Sequence, residues 1–171
     1  MLKGFLVFTF LLVSFSSVFG QWSGSHPLPE VQLKTSHEIN RTDLVTVARE
    51  YLGTPYLRGS TNPKKGFDCS GFVYFVFKQF DKTVPRSSRE YKSLGTALKP
   101  EEFKIGDILV FYGFKDKTHI GHVGIICEAD GMKSKFIHAS SGKAYGVTVS
   151  ALDSEGYKRR FYKCIDLIGK P

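Results

Sequence analysis

The sequence is short of acidic residues, short of cysteine and, beyond its first twenty residues, without long apolar runs. Sixteen Asp and Glu face twenty-four Lys and Arg, for a net charge of +8. Such a surplus favours anionic partners and says nothing about fold. No nucleic-acid-binding motif is present, so nucleic acid is not an expected partner and an acidic extracellular polymer is the better match. After residue 20 no stretch is apolar enough to span a membrane, which takes about 20 residues, so stable membrane insertion is not expected. Internal repeats and low-complexity segments are also lacking, which leaves an ordinary packed domain. There is no Cys-x-x-Cys and no His-x-x-x-His pair, the short spacings a zinc site would use, and no cofactor is expected.

What is present begins with a leader. Lys3 precedes an apolar run from Phe5 to Val13, and small residues Ser16, Ser17 and Gly20 follow. This three-part plan is that of a secretory signal peptide over residues 1–20. The chain is therefore expected in the cell envelope, periplasmic or extracellular. No Cys lies near Gly20–Gln21, so the pattern does not support a lipidated N-terminus. Residues 21–40 carry Ser, Gly, Pro and His without periodicity and read as a linker or loose arm. Residues 41–171 form the expected domain, of a size for one core, and a monomer is expected. Fifteen Phe and eight Tyr supply that core.

Within the domain the hydrophobic period changes once. Thr42 can cap a helix in which Leu44, Val47, Ala48 and Tyr51 share a face and which Gly53 closes. After a Pro- and Gly-containing loop, residues 72–80 are apolar nearly all round, as in a buried helix or a buried strand; Asp68 is placed to cap the helical alternative. Ser87 and Glu90 form a capping box for a short third helix ending at Gly95. Beyond Pro100 the period becomes two: DILVFY, HIGHVGIIC, KFIHAS, YGVTVSA and RRFYKCIDLI read as strands. Helices first and antiparallel strands second predict an α+β domain with one face of its sheet covered.

Three cysteines, Cys69, Cys127 and Cys164, leave an odd thiol in an exported chain. If a helix starts at Cys69, its unpaired N–H groups and dipole are expected to depress the thiol pKa. Read alone, Cys69 fits a nucleophile and an inert core thiol equally. In HIGHVGIIC, alternation places Ile120, His122, Gly124 and Ile126 on one face and Val123, Ile125 and Cys127 on the other. If the first face looks towards the buried helix, His122 can reach Cys69, and His138 on the next strand can hydrogen-bond the far nitrogen of His122. That is a nucleophile, base and orienter. His119 reads as an exposed loop residue. Cys127 and Cys164 are expected to stay unbridged, because strands separated in sequence need not bring their Cα atoms within about 7 Å.

YLGTPYLRGS, GFDCSGFV, VPRSS, IGDILVF, GHVGII and FIHASS, in that order, resemble the NlpC/P60 family of cell-wall peptidases over Leu44 to Ile168. The resemblance implies a papain-like fold, N-terminal helices on a central antiparallel sheet. It also implies hydrolysis of amide bonds in peptidoglycan stem peptides, usually between D-γ-glutamate and the diamino acid. Matched motif by motif, it implies Cys69, His122 and His138 as catalytic residues, and Tyr56, Asp68 and Ser70 as substrate or oxyanion-site residues. Arg86 is either a ligand for a substrate carboxylate or a solvated surface residue. Two departures stand out: SSREY where the family often has Gln after its Pro-Arg pair, and Ile105 where Pro is common. A zinc site built from Cys and two His, an inactive wall-binding module, and a thiol acyltransferase or amidase on the same fold remain the alternatives.

Overall fold

The computed structural model describes residues 38–169; the leader and most of the arm read from the sequence lie outside them. Helix α1, Arg41–Glu50, is capped by Asn40, not by Thr42. The Asn40 side-chain Oδ1 accepts from the N–H of Thr42 at 2.9 Å and of Asp43 at 3.3 Å, and Asn is at least as good a cap as Thr. A hairpin of β1, Thr61–Asn62, and β2, Gly66–Phe67, then leads into α2, Cys69–Lys78. The apolar run from Phe72 is thus helical, with Phe72, Val73, Val76 and Phe77 buried. The third expected helix is a 3₁₀ turn, Ser88–Lys92, in which the Glu90 carboxylate accepts from the Ser87 N–H at 3.1 Å.

All five expected strands form: β3 Ile108–Tyr112, β4 Ile120–Glu128, β5 Lys135–Ser140, β6 Gly146–Ala151 and β7 Phe161–Ile165. They pair antiparallel in the order β6-β5-β4-β3-β7. One face carries Ile108, Val110, Val123, Ile125, Ile137, Val147 and Ile165, which join Leu44, Ala48, Phe72 and Val76 from α1 and α2 in the main core. The other face is also covered, against expectation. Leu109, Phe111, Ile126, Phe136 and Cys164 pack there with Phe103 and Leu152, under Tyr157 from a short helix α3, Glu155–Lys158, that the periodicity did not reveal. Arg41 ties α1 to the sheet side, reaching Asp107 at 2.6 Å and Asp166 at 2.5 Å.

Two bulges change which residues share a face. Between β3 and β7, Val110 pairs with Lys163 but Phe111 pairs with Phe161. Tyr162 therefore packs on the main core while Cys164 lies opposite, so the two do not share the face that strict alternation assigns them. Cys127 and Cys164 are free, on opposite faces of strands separated by β3.

Candidate active site

Cys69 opens α2 and is 8% exposed. Its position follows from Asp68, the helix cap, whose Oδ1 accepts from the Gly71 N–H at 2.6 Å and whose Oδ2 accepts from the Gly59 N–H at 2.8 Å. Arg86 grips both carboxylate oxygens, at 2.9 and 2.8 Å, and donates to the Ser70 hydroxyl at 3.2 Å. Asp68, Ser70 and Arg86 thus form one network beside Cys69. A Cβ at Gly71 would lie 2.1 Å from the Ser60 carbonyl oxygen, so only glycine lets the helix start so close to that loop.

His122 does not sit on the face that packs against α2. The main core takes Ile120 together with Val123 and Ile125, which strict alternation forbids. The cause is the second bulge: Phe111 pairs with His122 and Tyr112 with Ile120, leaving Gly121 without a partner. An extra residue of this kind bends the strand and re-aims its side chains, as bulges beside active sites often do. At the bend the Cys69 Sγ lies 3.9 Å from the Gly121 carbonyl oxygen, and the Val123 N–H also points towards the sulfur. The sulfur is therefore seated against the strand on both sides of His122.

His138 is fully buried. Its Nδ1 lies 2.9 Å from His122 Nε2, with the rings nearly perpendicular. Ile125 pairs with Ile137, and the same register sets His138 opposite Gly124, diagonal to His122. A Cβ at Gly124 would come 2.9 Å from His138 Cβ and 2.6 Å from the Phe136 ring, so glycine makes the room. On its far side, His138 Nε2 meets the Ser150 hydroxyl at 3.0 Å and the Tyr157 hydroxyl at 3.3 Å. Neither residue belongs to a motif visible in the sequence. Only alternation in β6, which sets Thr148 and Ser150 on the side of His138, hinted at the first.

The electrostatics correct one expectation. Burial raises the Cys69 thiol pKa, the Asp68 charge raises it further, and the nearby N–H groups only partly offset this. The helix start is already occupied by the Asp68 carboxylate, so its dipole does not yield a resting thiolate. Burial, then His138 and the Arg160 cation, push His122 well below the usual histidine range. Burial and Arg160 hold His138 down to about 3. The resting pair is thiol and neutral imidazole. Tyr56 lies close enough that, after burial, the Cys69 and Asp68 charges raise its hydroxyl pKa. Its ring leans on exposed Tyr145 at 5.7 Å. His119 is exposed, 2.6 Å from Asp116 and outside the site. Among the described residues, no three His, Cys, Asp or Glu converge to hold a metal ion.

The profile of the NlpC/P60 family matches residues 53–166. The chain belongs to the NlpC/P60 family. It is 33% identical over 140 residues to the gamma-DL-glutamyl hydrolase of Bacillus subtilis strain 168, covering 81% of this chain and 32% of that protein. To the probable endopeptidase NlpC of Escherichia coli K12 it is 35% identical, over 65% of this chain and 68% of that one. An NlpC/P60 family protein from Bacillus cereus ATCC 10987 superposes with a TM-score of 0.67 at 26% identity, covering 77% of this chain and 41% of that one. The chain thus spans between a third and about two thirds of the length of these curated relatives. This NlpC/P60 domain has the expected α+β architecture, with Cys69 set against β4 and His122 hydrogen-bonded to His138.

Proposed function

We propose that this NlpC/P60 protein is a secreted cysteine endopeptidase that hydrolyses peptidoglycan stem peptides at the bond between D-γ-glutamate and the diamino acid. The observation that carries this reading is Cys69 at a helix start, its sulfur against Gly121 and Val123 on either side of His122, whose Nε2 is 2.9 Å from His138 Nδ1. The similarity to a gamma-DL-glutamyl hydrolase and to a probable endopeptidase supports the bond class. The leader pattern in residues 1–20 supports export, and the basic surface suits an acidic wall polymer.

Because His138 occupies Nε2 of His122, Nδ1 is the nitrogen left to serve the sulfur. His122 Nδ1 takes the thiol proton as Cys69 attacks the scissile carbonyl, forming the S–C bond. The imidazolium then protonates the leaving amine, the C–N bond breaks, and a thioester remains. Water, deprotonated by His122, attacks the thioester, releasing the D-glutamyl carboxylate and returning the proton to sulfur. N–H groups at the start of α2 are the oxyanion donors. His138 orients His122, a role that asks for a hydrogen-bond acceptor and not for a charge. Tyr56, Asp68, Ser70 and Arg86 line the substrate side.

Digestion of purified peptidoglycan tests the reading. The products should be fragments ending in D-glutamate and others beginning with a free α-amine on the diamino acid. Cys69→Ala and His122→Ala should abolish release, His138→Ala should retain a residual rate, and His119→Ala should be near neutral. Full release by Cys69→Ala, or cleavage at another bond only, would refute it.

A further inference from the structure

We infer that Ser150 and Tyr157 are positioning residues that hold His138 as the Nε2–H tautomer and so leave His122 Nδ1 free to take the Cys69 proton. The inference rests on the proposed assignment of Cys69, His122 and His138. A neutral imidazole carries one N–H, and its location decides what the ring can do. If His138 holds its proton on Nδ1, it donates to His122 Nε2. The proton of His122 must then sit on Nδ1, where it blocks uptake of the thiol proton. If His138 holds its proton on Nε2, its Nδ1 accepts from His122 Nε2–H and the His122 Nδ1 lone pair is open. Only the second arrangement works as a base.

The surroundings of His138 supply what that arrangement needs. His122 and Gly124 face it from β4, Phe136 from its own strand, Ser150 from β6, and Tyr157 from α3. The charged group near these rings is Arg160, whose guanidinium lies 5.0 Å over the Tyr157 ring and donates to the Gly156 and Tyr112 carbonyl oxygens at 2.9 and 3.2 Å. Its cation, with burial, keeps both histidines neutral, so a tautomer and not a charge is at stake. The Ser150 and Tyr157 hydroxyls lie at hydrogen-bond distance from Nε2 and can accept its proton. Both also border an open cavity with Lys143 and Thr148, where solvent can take their own protons. In a fully buried ring, an Nε2–H without an acceptor would be left unsatisfied, at a cost that returns the proton to Nδ1.

Nitrogen-15 NMR of histidine-labelled protein reads the tautomers directly, with no substrate and no variant. His138 and His122 should both carry their proton on Nε2; a proton on Nδ1 of His138 would overturn the inference. Ser150→Ala and Tyr157→Phe should each lower kcat by about fivefold, and together by on the order of 30-fold, with KM little changed. The double variant should show His138 shifted towards Nδ1–H, and Ser150→Thr, which keeps the hydroxyl, should restore both signal and rate. A double variant with native histidine signals and a rate within about twofold of the parent would also overturn it. Should Cys69→Ala still hydrolyse, the proposed function fails, yet the NMR result still judges the tautomer.

Discussion

Cys69 is not held as a thiolate at rest, and on the proposed mechanism its proton leaves only at the moment of reaction. Burial and the Asp68 carboxylate both favour the neutral thiol, and His122 is too weak a base at rest to form a standing ion pair. Alkylation of Cys69 by iodoacetamide should therefore be slow at pH 6 and climb about tenfold per pH unit through neutrality, because only the thiolate reacts. No plateau should appear below the ordinary thiol range. A rate already level at pH 6 would show a thiolate–imidazolium pair and contradict this account. Asp68 works against thiolate formation while building the site, since it caps α2, binds the Gly59 N–H and anchors Arg86. Asp68→Asn should cost about 1–3 kcal/mol of stability, read from urea midpoints, through a weakened cap and the lost charge on a partly buried pair. An unchanged midpoint would show that the network contributes nothing.

The meeting of α2, β4 and β5 depends on small local departures from regular structure. The bulge at Gly121 turns Ile120 out of the strict alternation of β4 while His122 stays on the face of Gly124 and Ile126, and Gly124 lets β5 bring His138 beneath it. Gly124→Ala would set a methyl group 2.6 Å from the Phe136 ring and 2.9 Å from His138 Cβ. We expect a stability loss of about 1–3 kcal/mol, typical of overpacking, with a fall in kcat as His138 is displaced. Native stability together with native turnover would show that β5 has slack there. The α3 segment matters in the same way: it covers the second face of the sheet, buries His138 and brings Tyr157 and Arg160 to it.

Across the whole domain, two neutral histidines, His138 buried and His122 half-buried, make the fold sensitive to acid. His138 titrates down to about 3 in the fold, and His122 is also held well below the usual value. As pH falls below about 6.5, the ordinary histidine value, the unfolded chain takes up protons that the folded chain refuses. The stability these groups contribute is thus complete above that value and is lost as pH drops towards about 3. Each histidine adds a slope of about 1.4 kcal/mol per pH unit within its window. Urea midpoints measured from pH 7 to pH 4 should fall accordingly, and His138→Gln should flatten the slope. Equal slopes in the two proteins would mean that His138 does not stay neutral when folded.

The sequence by itself determined the class of fold and all five strands of the sheet, and it narrowed the apolar run behind Asp68-Cys69 to a buried helix or a buried strand. These rest on local periodicity and capping chemistry, which act over a few residues and are written in the chain. It also marked the residues proposed here to carry chemistry, because six motifs in one order leave little freedom. Only the tertiary structure decided how they meet. Strict alternation set His122 with Ile120 and pointed both at α2; the unpaired Gly121 separates them, and nothing local marks a bulge that arises from pairing with β3. The N-terminal cap moved from Thr42 to Asn40, since both are competent and the packing of α1 selects between them. Whether Cys69 rests as thiol or thiolate was likewise beyond local reading. A helix start predicts one answer, while burial and the charge of Asp68 impose the other, and both of these are properties of the assembled fold.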